Sequence, residues 1–584
     1  MHPQITVLDA GGQYCHLIAR KVRDLGVYAE VRPSETPASE LAGRKGIIIS
    51  GGPSSVYESG SPTVDPGLFD EGSAVLGICY GQQLMAHLLG GRVRKGDKGE
   101  YGFARLAIAS GGGPIFRGID GEQQIWMSHR DVVESVPPGF EILGRTSTCE
   151  IAAMGDASRR FYAVQFHPEV VHTPRGNEIL SNFLFEVCGC ERDWSATGQV
   201  ESLEQQIRDI ARDRSIFFFV SGGVDSTVAY TLCLRALGPD RVYGAYVDTG
   251  LMREGETEFV RDVFARLGAT HFRVEDAAGE FLGALAGVCD PERKRHIIGE
   301  QFVKVQERIL QEGHFLDGHW ILGQGTIYPD TIESGGTARA DVIKTHHNRV
   351  AGIQKLIDTG RIIEPLTQFY KDEVRRVGRE LGLPGEMLER HPFPGPGLAI
   401  RCLCSDESAA VEPTADGSIL PVHSVGVQGD SRSYRPVLAM EGFPERADEA
   451  AELVNRNAGV NRVVVNVASA AALRELRATR SSLSPDRLAR LRRADAIVRA
   501  ATHESGFDRE IWQMPVVLIP IGTSERPDSV VLRPIDSVDG MTAQAVVMGR
   551  DLLDQISAEL LAIEGVCAVF YDVTNKPPGT IEWE

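Results

Sequence analysis

Short apolar runs that stop at glycine alternate with stretches whose apolar residues recur at helical spacing over residues 1–190. "QITVLDAGG", "GIIISGGP" and "AVLGICYGQQLMAHLLGG" each join a β-rich run to a glycine turn, the last leading into a helix-period segment. The alternation predicts a parallel sheet covered by helices, with reactive groups at the carboxyl ends of its strands. A polar and then helix-period stretch over residues 191–214 reads as a linker with an entry helix. At Ile216 the pattern restarts with "IFFFVSGGVDS", a strand running into a glycine loop, and a second parallel-sheet region is expected over residues 215–398.

The character changes at "ERHPFPGPGLAIRCL", whose prolines cannot lie inside a helix or a central strand and mark a shaped linker. Beyond it two stretches, about 418–468 and 513–584, each read as strands, a helix and a final strand, with a basic helical segment between them. The fold class expected is therefore α/β: two parallel-sheet α/β domains followed by a duplicated α+β domain over residues 399–584. The last residues, "NKPPGTIEWE", combine a proline-stiffened turn with Ile and Trp, so this segment is expected to dock rather than stay loose.

Composition narrows the partners. In 584 residues, 61 basic against 80 acidic side chains give a net charge of −19, which opposes non-specific attraction to nucleic acid or to an anionic membrane. Small phosphorylated ligands stay open, because a few backbone amides and basic side chains can hold them locally. No basic segment followed by an apolar run opens the chain and no apolar stretch is long enough for a membrane span, so a cytoplasmic protein is expected. The 10 cysteines include Cys188/Cys190 and Cys402/Cys404, spaced C-x-C without a matching distant pair; most read as reduced core thiols.

"GICYGQQ" places Cys79 between a strand and a helix with glycines on both sides. That is the pattern of a nucleophile elbow, and the helix after it supplies a field favouring thiolate. A buried cysteine packing as a small hydrophobe is the alternative for Cys79 taken alone. "FYAVQFHPEVVHT" adds His167 as a base and Glu169 to orient it, the arrangement of nucleophile, base and orienter. Together "GICYGQQ" and "QFHPE" resemble the class I glutamine amidotransferases. The resemblance implies that Cys79 attacks the side-chain amide of glutamine and His167 moves the protons. It further implies oxyanion donors at the backbone of Gly52 and Tyr80 and glutamine binding by Gln83 and Asp131.

The second loop, Ser221, Gly222, Gly223, Val224, Asp225, Ser226 and Thr227, lacks the lysine of the common phosphate loop. Glycines let the chain approach an anion, helix N–H groups point at it, and the Ser221 and Ser226 hydroxyls add donors. Asp225 beside an anion suggests Mg²⁺ between them. A plain glycine turn is the bland alternative. The stretch resembles the PP-loop of the ATP pyrophosphatases, which have the adenine nucleotide α-hydrolase-like fold. That family cleaves ATP between the α and β phosphates, so the loop is expected to grip departing pyrophosphate. It implies a nucleotide contact at Asp248. Lys344, in "IKTHHN", is a candidate cation for transition-state charge, while the adjacent His346 and His347 make a poor metal pair. "PERKRHIIGEQF" reads as a mobile anion-binding lid or, more plainly, as a solvated helix start.

"SVGVQGDSRSY", "QMPV", "KPPGTIEWE" and "RHPFPGPGLAIR" resemble the glutamine-hydrolysing GMP synthase family in its longer form, over essentially the whole chain. The resemblance implies ATP as co-substrate with Mg²⁺, and xanthosine monophosphate (XMP) as acceptor, bound by Arg295, Asp430, Gln513, Lys576, Ile581 and Glu582. A duplicated C-terminal unit would replace contacts that shorter members make by dimerising, so monomer and homodimer both stand. A sulfur-transferring or NAD-forming PP-loop enzyme, and a nucleotide-binding regulator without activity, are the rivals.

Overall fold

The computed structural model describes residues 3–12, 14–328, 330, 351–428, 431–444, 447–456, 459–537 and 543–584. They fall into two compact units, one holding the described residues of 1–201 with Tyr328 and Asp330, the other the described residues of 202–327 and of 351–584.

The first unit is built on a nine-stranded sheet of order β2-β1-β3-β4-β9-β8-β7-β5-β6. Its parallel half comprises β1 (Ile5–Asp9), β2 (Ala29–Pro33), β3 (Gly46–Ile49), β4 (Ala74–Ile78) and β9 (Phe161–Val164). β3, β4 and β9 are buried throughout, as strands covered on both faces must be. The expectation of a parallel sheet is met only in this half. β5 (Arg92–Ile108), β6 (Glu122–Ser135), β7 (Glu141–Arg145) and β8 (Ala153–Asp156) extend it with antiparallel pairs. Burial largely alternates along β6, so one face meets solvent, and such strands lack the continuous apolar run by which the parallel ones announce themselves.

The second unit holds two sheets. The first is wholly parallel, in the order β12-β11-β10-β13-β14: β10 (Ser215–Phe219), β11 (Val242–Asp248), β12 (His271–Asp276), β13 (Trp320–Gly323) and β14 (Ile362–Ile363). The chain runs outward from β10 to β12 and then returns to place β13 on the other side of β10. The direction of winding reverses there, and the carboxyl ends of strands flanking such a reversal, here β10 and β13, are where open α/β sheets bind ligands.

The second sheet contains β15 (Glu412–Pro413), β16 (Ser418–Gln428), β17 (Ser431–Glu441), β18 (Arg462–Ser469), β20 (Val516–Ile519), β22 (Asp528–Leu532) and β25 (Val566–Asp572), ordered β15-β16-β17-β18-β25-β22-β20. β16 and β17 form a hairpin, and the helix Ala447–Arg456 crosses to β18, parallel to β17. β20 and β22 repeat the hairpin, and the helix Arg550–Leu561 crosses to β25, parallel to β22. The two ββαβ arrangements meet where β18 and β25 pair antiparallel. Short ladders join β19 (Arg477–Ala478) to β21 (Ile521–Gly522) and β23 (Ile535–Asp536) to β24 (Gln544–Ala545). The basic segment between the two arrangements opens with a 3₁₀ turn at Leu473–Glu475 and forms an α-helix over Pro485–Ser505, capped by the Ser484 hydroxyl.

One apolar core joins both sheets of this unit, with Phe217, Leu322 and Ile353 in the same cluster as Leu398, Val463, Leu518 and Val569. On the other face of the second sheet, Trp583 is fully buried among Leu420, Val464 and Phe570. The segment Thr580–Glu584 is therefore docked, as its composition suggests. Among the described residues no helix is long and apolar enough to cross a membrane.

Candidate active site

Cys79 sits between β4 and the helix Tyr80–Leu88 with φ 53° and ψ −106°, a left-handed conformation that a non-glycine residue adopts only when its surroundings force it. The force is close packing. A Cβ on Gly81 would stand 2.2 Å from the Ile49 carbonyl oxygen, so the first helical turn lies hard against β3 and the chain must bend sharply at Cys79. This is the elbow that the glycine spacing predicts. A Cβ on Gly51 would lie 3.2 Å from His167 Cε1 and 3.5 Å from Cys79 Cβ, so the loop that carries Gly52 runs directly along both. Tyr80 is the first residue of the helix, where backbone N–H groups have no intrahelical partner.

His167 follows β9 and its Nδ1 lies 2.7 Å from Glu169 Oε1, with Glu169 fully shut from solvent. The other carboxylate oxygen, Oε2, has no hydrogen-bond partner. Burial alone would lower the His167 pKa. The charge of Glu169 and hydrogen bonds to Cys79 and Glu169 overcome it and push the pKa up to about 10, so the ring carries a proton at neutral pH. The Thr173 hydroxyl donates to the His167 carbonyl at 2.7 Å, and the Gln165 amide approaches Cys79 Sγ at 3.7 Å. Sequence reasoning named neither, since polar residues near a strand end carry no distinguishing pattern.

Gln83 and Asp131 are joined. The Gln83 amide donates to the Asp131 carbonyl at 2.9 Å and to Gln165 Oε1 at 3.2 Å, and Asp131 Oδ1 accepts from the Tyr57 hydroxyl at 3.0 Å. Both are buried, while Tyr57 is 48% exposed and covers Asp131 from the solvent side.

In the second unit, the loop after β10 turns at Gly222, with φ 75°, and Gly223 caps the helix Val224–Leu237. Ser221 and Ser226 hydroxyls lie 3.0 Å apart, Ser221 Oγ accepts from the Gly223 N–H at 3.2 Å, and Thr227 donates to the Gly223 carbonyl at 2.8 Å. Side chains thus pin the loop around the helix start. The loop after β13 packs against it, since a Cβ on Gly325 would meet Ser226 N at 2.7 Å. At the end of β11, Asp248 accepts from the Gly250 N–H at 2.9 Å and from the Thr257 hydroxyl at 2.7 Å.

The loop does have a lysine, supplied from elsewhere. Lys371, first residue of the helix Lys371–Glu380, pairs through Nζ with Asp225 Oδ2, and Asp225 Oδ1 has no hydrogen-bond partner. The pair spans 146 residues, which no local motif can disclose. Among the described residues no group of three or more His, Cys, Asp or Glu side chains could hold a metal by themselves.

Of the candidates for the acceptor, Gln513 and Glu582 touch: Gln513 Nε2 lies 3.3 Å from Glu582 Oε1. Ile581 offers its carbonyl to Arg533 Nε at 3.0 Å, and the Lys576 backbone pairs with Ala543. Arg295 lies in the helix Pro291–Glu312 and donates to the Glu584 carbonyl. The lid reading of that basic run does not hold as drawn, because Lys294 is fully buried and bonded at 2.7 Å to Glu584 Oε2. Its charge is spent on a partner 290 residues on. Lys344 and Asp430, with His346 and His347, lie outside the described residues. Arg401, the last residue of "RHPFPGPGLAIR" and given no role from sequence, grips Glu582 through two hydrogen bonds of 3.0 and 2.7 Å.

Residues 6–187 match the class-I glutamine amidotransferase family, and residues 500–583 match the GMP synthase C terminal domain. A "Probable GMP synthase (glutamine-hydrolyzing)" of Leptospira interrogans is 42% identical over 100% of this chain and 100% of its own. The GMP synthase (glutamine-hydrolyzing) of Caldicellulosiruptor saccharolyticus is 40% identical over 100% of both chains, and that of Streptomyces coelicolor is 39% identical over 99% of this chain and 98% of its own. With relatives this similar from end to end, the chain belongs to the glutamine-hydrolysing GMP synthase family.

Proposed function

We propose that this protein aminates XMP to GMP, with ammonia released from glutamine and ATP cleaved to AMP and pyrophosphate. Similarity to the family over the entire length carries the reading, and the geometry around Cys79 and around the loop after β10 supports it. In the first unit Cys79 attacks the glutamine side-chain amide as a thiolate. The backbone N–H groups of Gly52 and Tyr80 take the developing oxyanion, and Gln83 and Asp131 hold the amino acid. His167, charged at neutral pH beside Glu169, gives its proton to the leaving ammonia and then takes one from the water that releases glutamate.

In the second unit, the N–H groups of Gly222, Val224, Asp225 and Ser226, the hydroxyls of Ser221 and Ser226, and Lys371 together suit the β and γ phosphates of ATP, in a loop that Gly223 and Thr227 hold in shape. The α phosphorus is left open to O2 of XMP, and pyrophosphate departs as a unit. Asp248 and Lys344 complete the nucleotide site. Asp225 Oδ1, without a partner, is the group that would hold the Mg²⁺ accompanying ATP, and that ion would neutralise phosphate charge. Ammonia then attacks C2 of the adenylylated XMP and AMP leaves. Arg295, Asp430, Gln513, Lys576, Ile581 and Glu582 bind the acceptor. Free nucleotides and glutamine are the partners and the cytoplasm is the setting; a net charge of −19 argues against nucleic acid.

The test is to incubate the protein with XMP, ATP, Mg²⁺ and glutamine and to identify the products. GMP, AMP and pyrophosphate are expected; ADP in place of AMP would overturn the PP-loop reading. The paired ββαβ arrangements favour a monomer in which the β18–β25 seam stands in for a subunit interface. Light scattering should then give a mass near 63.6 kDa rather than twice that.

A further inference from the structure

Gln513 and Glu582 do not face a ligand with all their hydrogen-bonding capacity. Glu582 is held in a fork by Arg401, Nε to Oε2 at 3.0 Å and Nη2 to Oε1 at 2.7 Å, by a guanidinium with no exposed surface. The Gln513 side-chain nitrogen donates to Glu582 Oε1 at 3.3 Å and to the Pro392 carbonyl at 3.0 Å. Both of those neighbours are acceptors, so the amide has one workable orientation, nitrogen toward them. Its two protons are thereby used, and only the carbonyl oxygen is left to offer. An ionised carboxylate has about four lone-pair directions. Arg401 and Gln513 occupy three of those on Glu582, leaving one acceptor.

Arg401 is itself fixed. Its guanidinium lies 5.4 Å from the centre of the Phe393 ring, which also carries Arg253 at 4.5 Å, and its Nη1 has no hydrogen-bond partner. Lysine could balance the charge of Glu582 but could not reproduce the planar fork that sets the carboxylate's rotation.

We propose that Arg401 and the Pro392 carbonyl set Gln513 and Glu582 as acceptors only, and that this pair selects a nucleotide by the N–H and O–H donors of its base and sugar. Arg401 is then a positioning residue for substrate selection. The proposal rests on reading this unit as the place where XMP is aminated. A xanthine ring presents an N–H group at position 1, a second at position 3 when that nitrogen keeps its proton, and its ribose two hydroxyls, whereas hypoxanthine has no N–H at position 3. A nucleotide that puts an acceptor or nothing opposite the pair leaves a carboxylate unmatched, which is the costly case.

The experiment uses the full chain with ammonium as nitrogen donor, so that glutamine chemistry does not enter. KM for XMP and for ATP, and inhibition by IMP and 2′-deoxy-XMP, are measured for the wild type, Arg401→Lys and Gln513→Met. In Arg401→Lys, KM for XMP should rise at least ~10-fold with KM for ATP and kcat changed less than ~3-fold, and discrimination against the analogue missing the recognised donor should shrink in step. Gln513→Met leaves the ion pair intact and should show the same split, which keeps the test available if Arg401→Lys does not fold. An unchanged KM for XMP in the folded variants, equal rises for XMP and ATP, or intact discrimination against both analogues would overturn the proposal. If the wild type itself makes no GMP from XMP, the functional reading fails first, and that result is distinct from any of these.

Discussion

His167 Nδ1 and Glu169 Oε1 stand 2.7 Å apart with the carboxylate wholly buried, and the second carboxylate oxygen has no other partner. The pair is therefore committed to the imidazolium. Because the folded-state pKa of about 10 exceeds the ordinary value of 6.5, the interaction contributes its full stability below about pH 6.5 and loses it as pH rises through about 10. Glu169→Gln should lower stability at pH 7, with the deficit against wild type closing above pH 10 in urea titrations. Glutaminase turnover should fall by roughly 10²-fold or more.

Cys79→Ala should remove glutamine-dependent synthesis by at least about 10³-fold, since no other group at the elbow can form the thioester. Synthesis from added ammonium should persist near the wild-type rate. Loss of both activities would show that the two units do not hold separable chemistry.

Lys371→Met leaves Asp225 without its cation and the loop without its lysine. The expected outcome is a loss of roughly 10²-fold in kcat/KM for ATP, with glutamine hydrolysis by the first unit retained. Steady-state kinetics with ammonium as donor measure it directly.

At the β18–β25 seam, Asp572 Oδ2 receives Arg462 Nη1, Arg533 Nη1 and Trp583 Nε1, each at 2.9 Å, and none of these side chains is exposed. Burial alone would raise the Asp572 pKa, but Arg533 and Arg462 hold it below the ordinary value of 3.8. Its stabilisation is present above about pH 4 and is lost as pH falls through the lowered pKa. Asp572→Asn strands two buried guanidinium groups and should cost about 3–5 kcal/mol at pH 7. The deficit should narrow in acid, as read by denaturant titration.

The same residue shows where legibility ended. Asp572 closes a buried strand, and nothing local distinguishes it from a solvent-facing turn residue; its meaning comes from Arg462, 110 positions earlier. The parallel strands β3, β4, β9 and β10 were readable because burial on both faces demands continuous apolar residues. β5 and β6 were not, since a half-solvated hairpin reads as polar sequence with scattered apolar positions. The elbow at Cys79 was readable because glycine at positions 77 and 81 is what its close packing requires.

By itself, then, the sequence determined which segments bury both faces, where backbone must bend tightly, and which reactive side chains stand at strand ends, because these are imposed by neighbours within a few residues. Only the tertiary structure decided which charges meet: Lys371 with Asp225, Lys294 with Glu584, Arg401 with Glu582. A buried charge needs a partner in space, and the chain is indifferent to how far along it that partner comes.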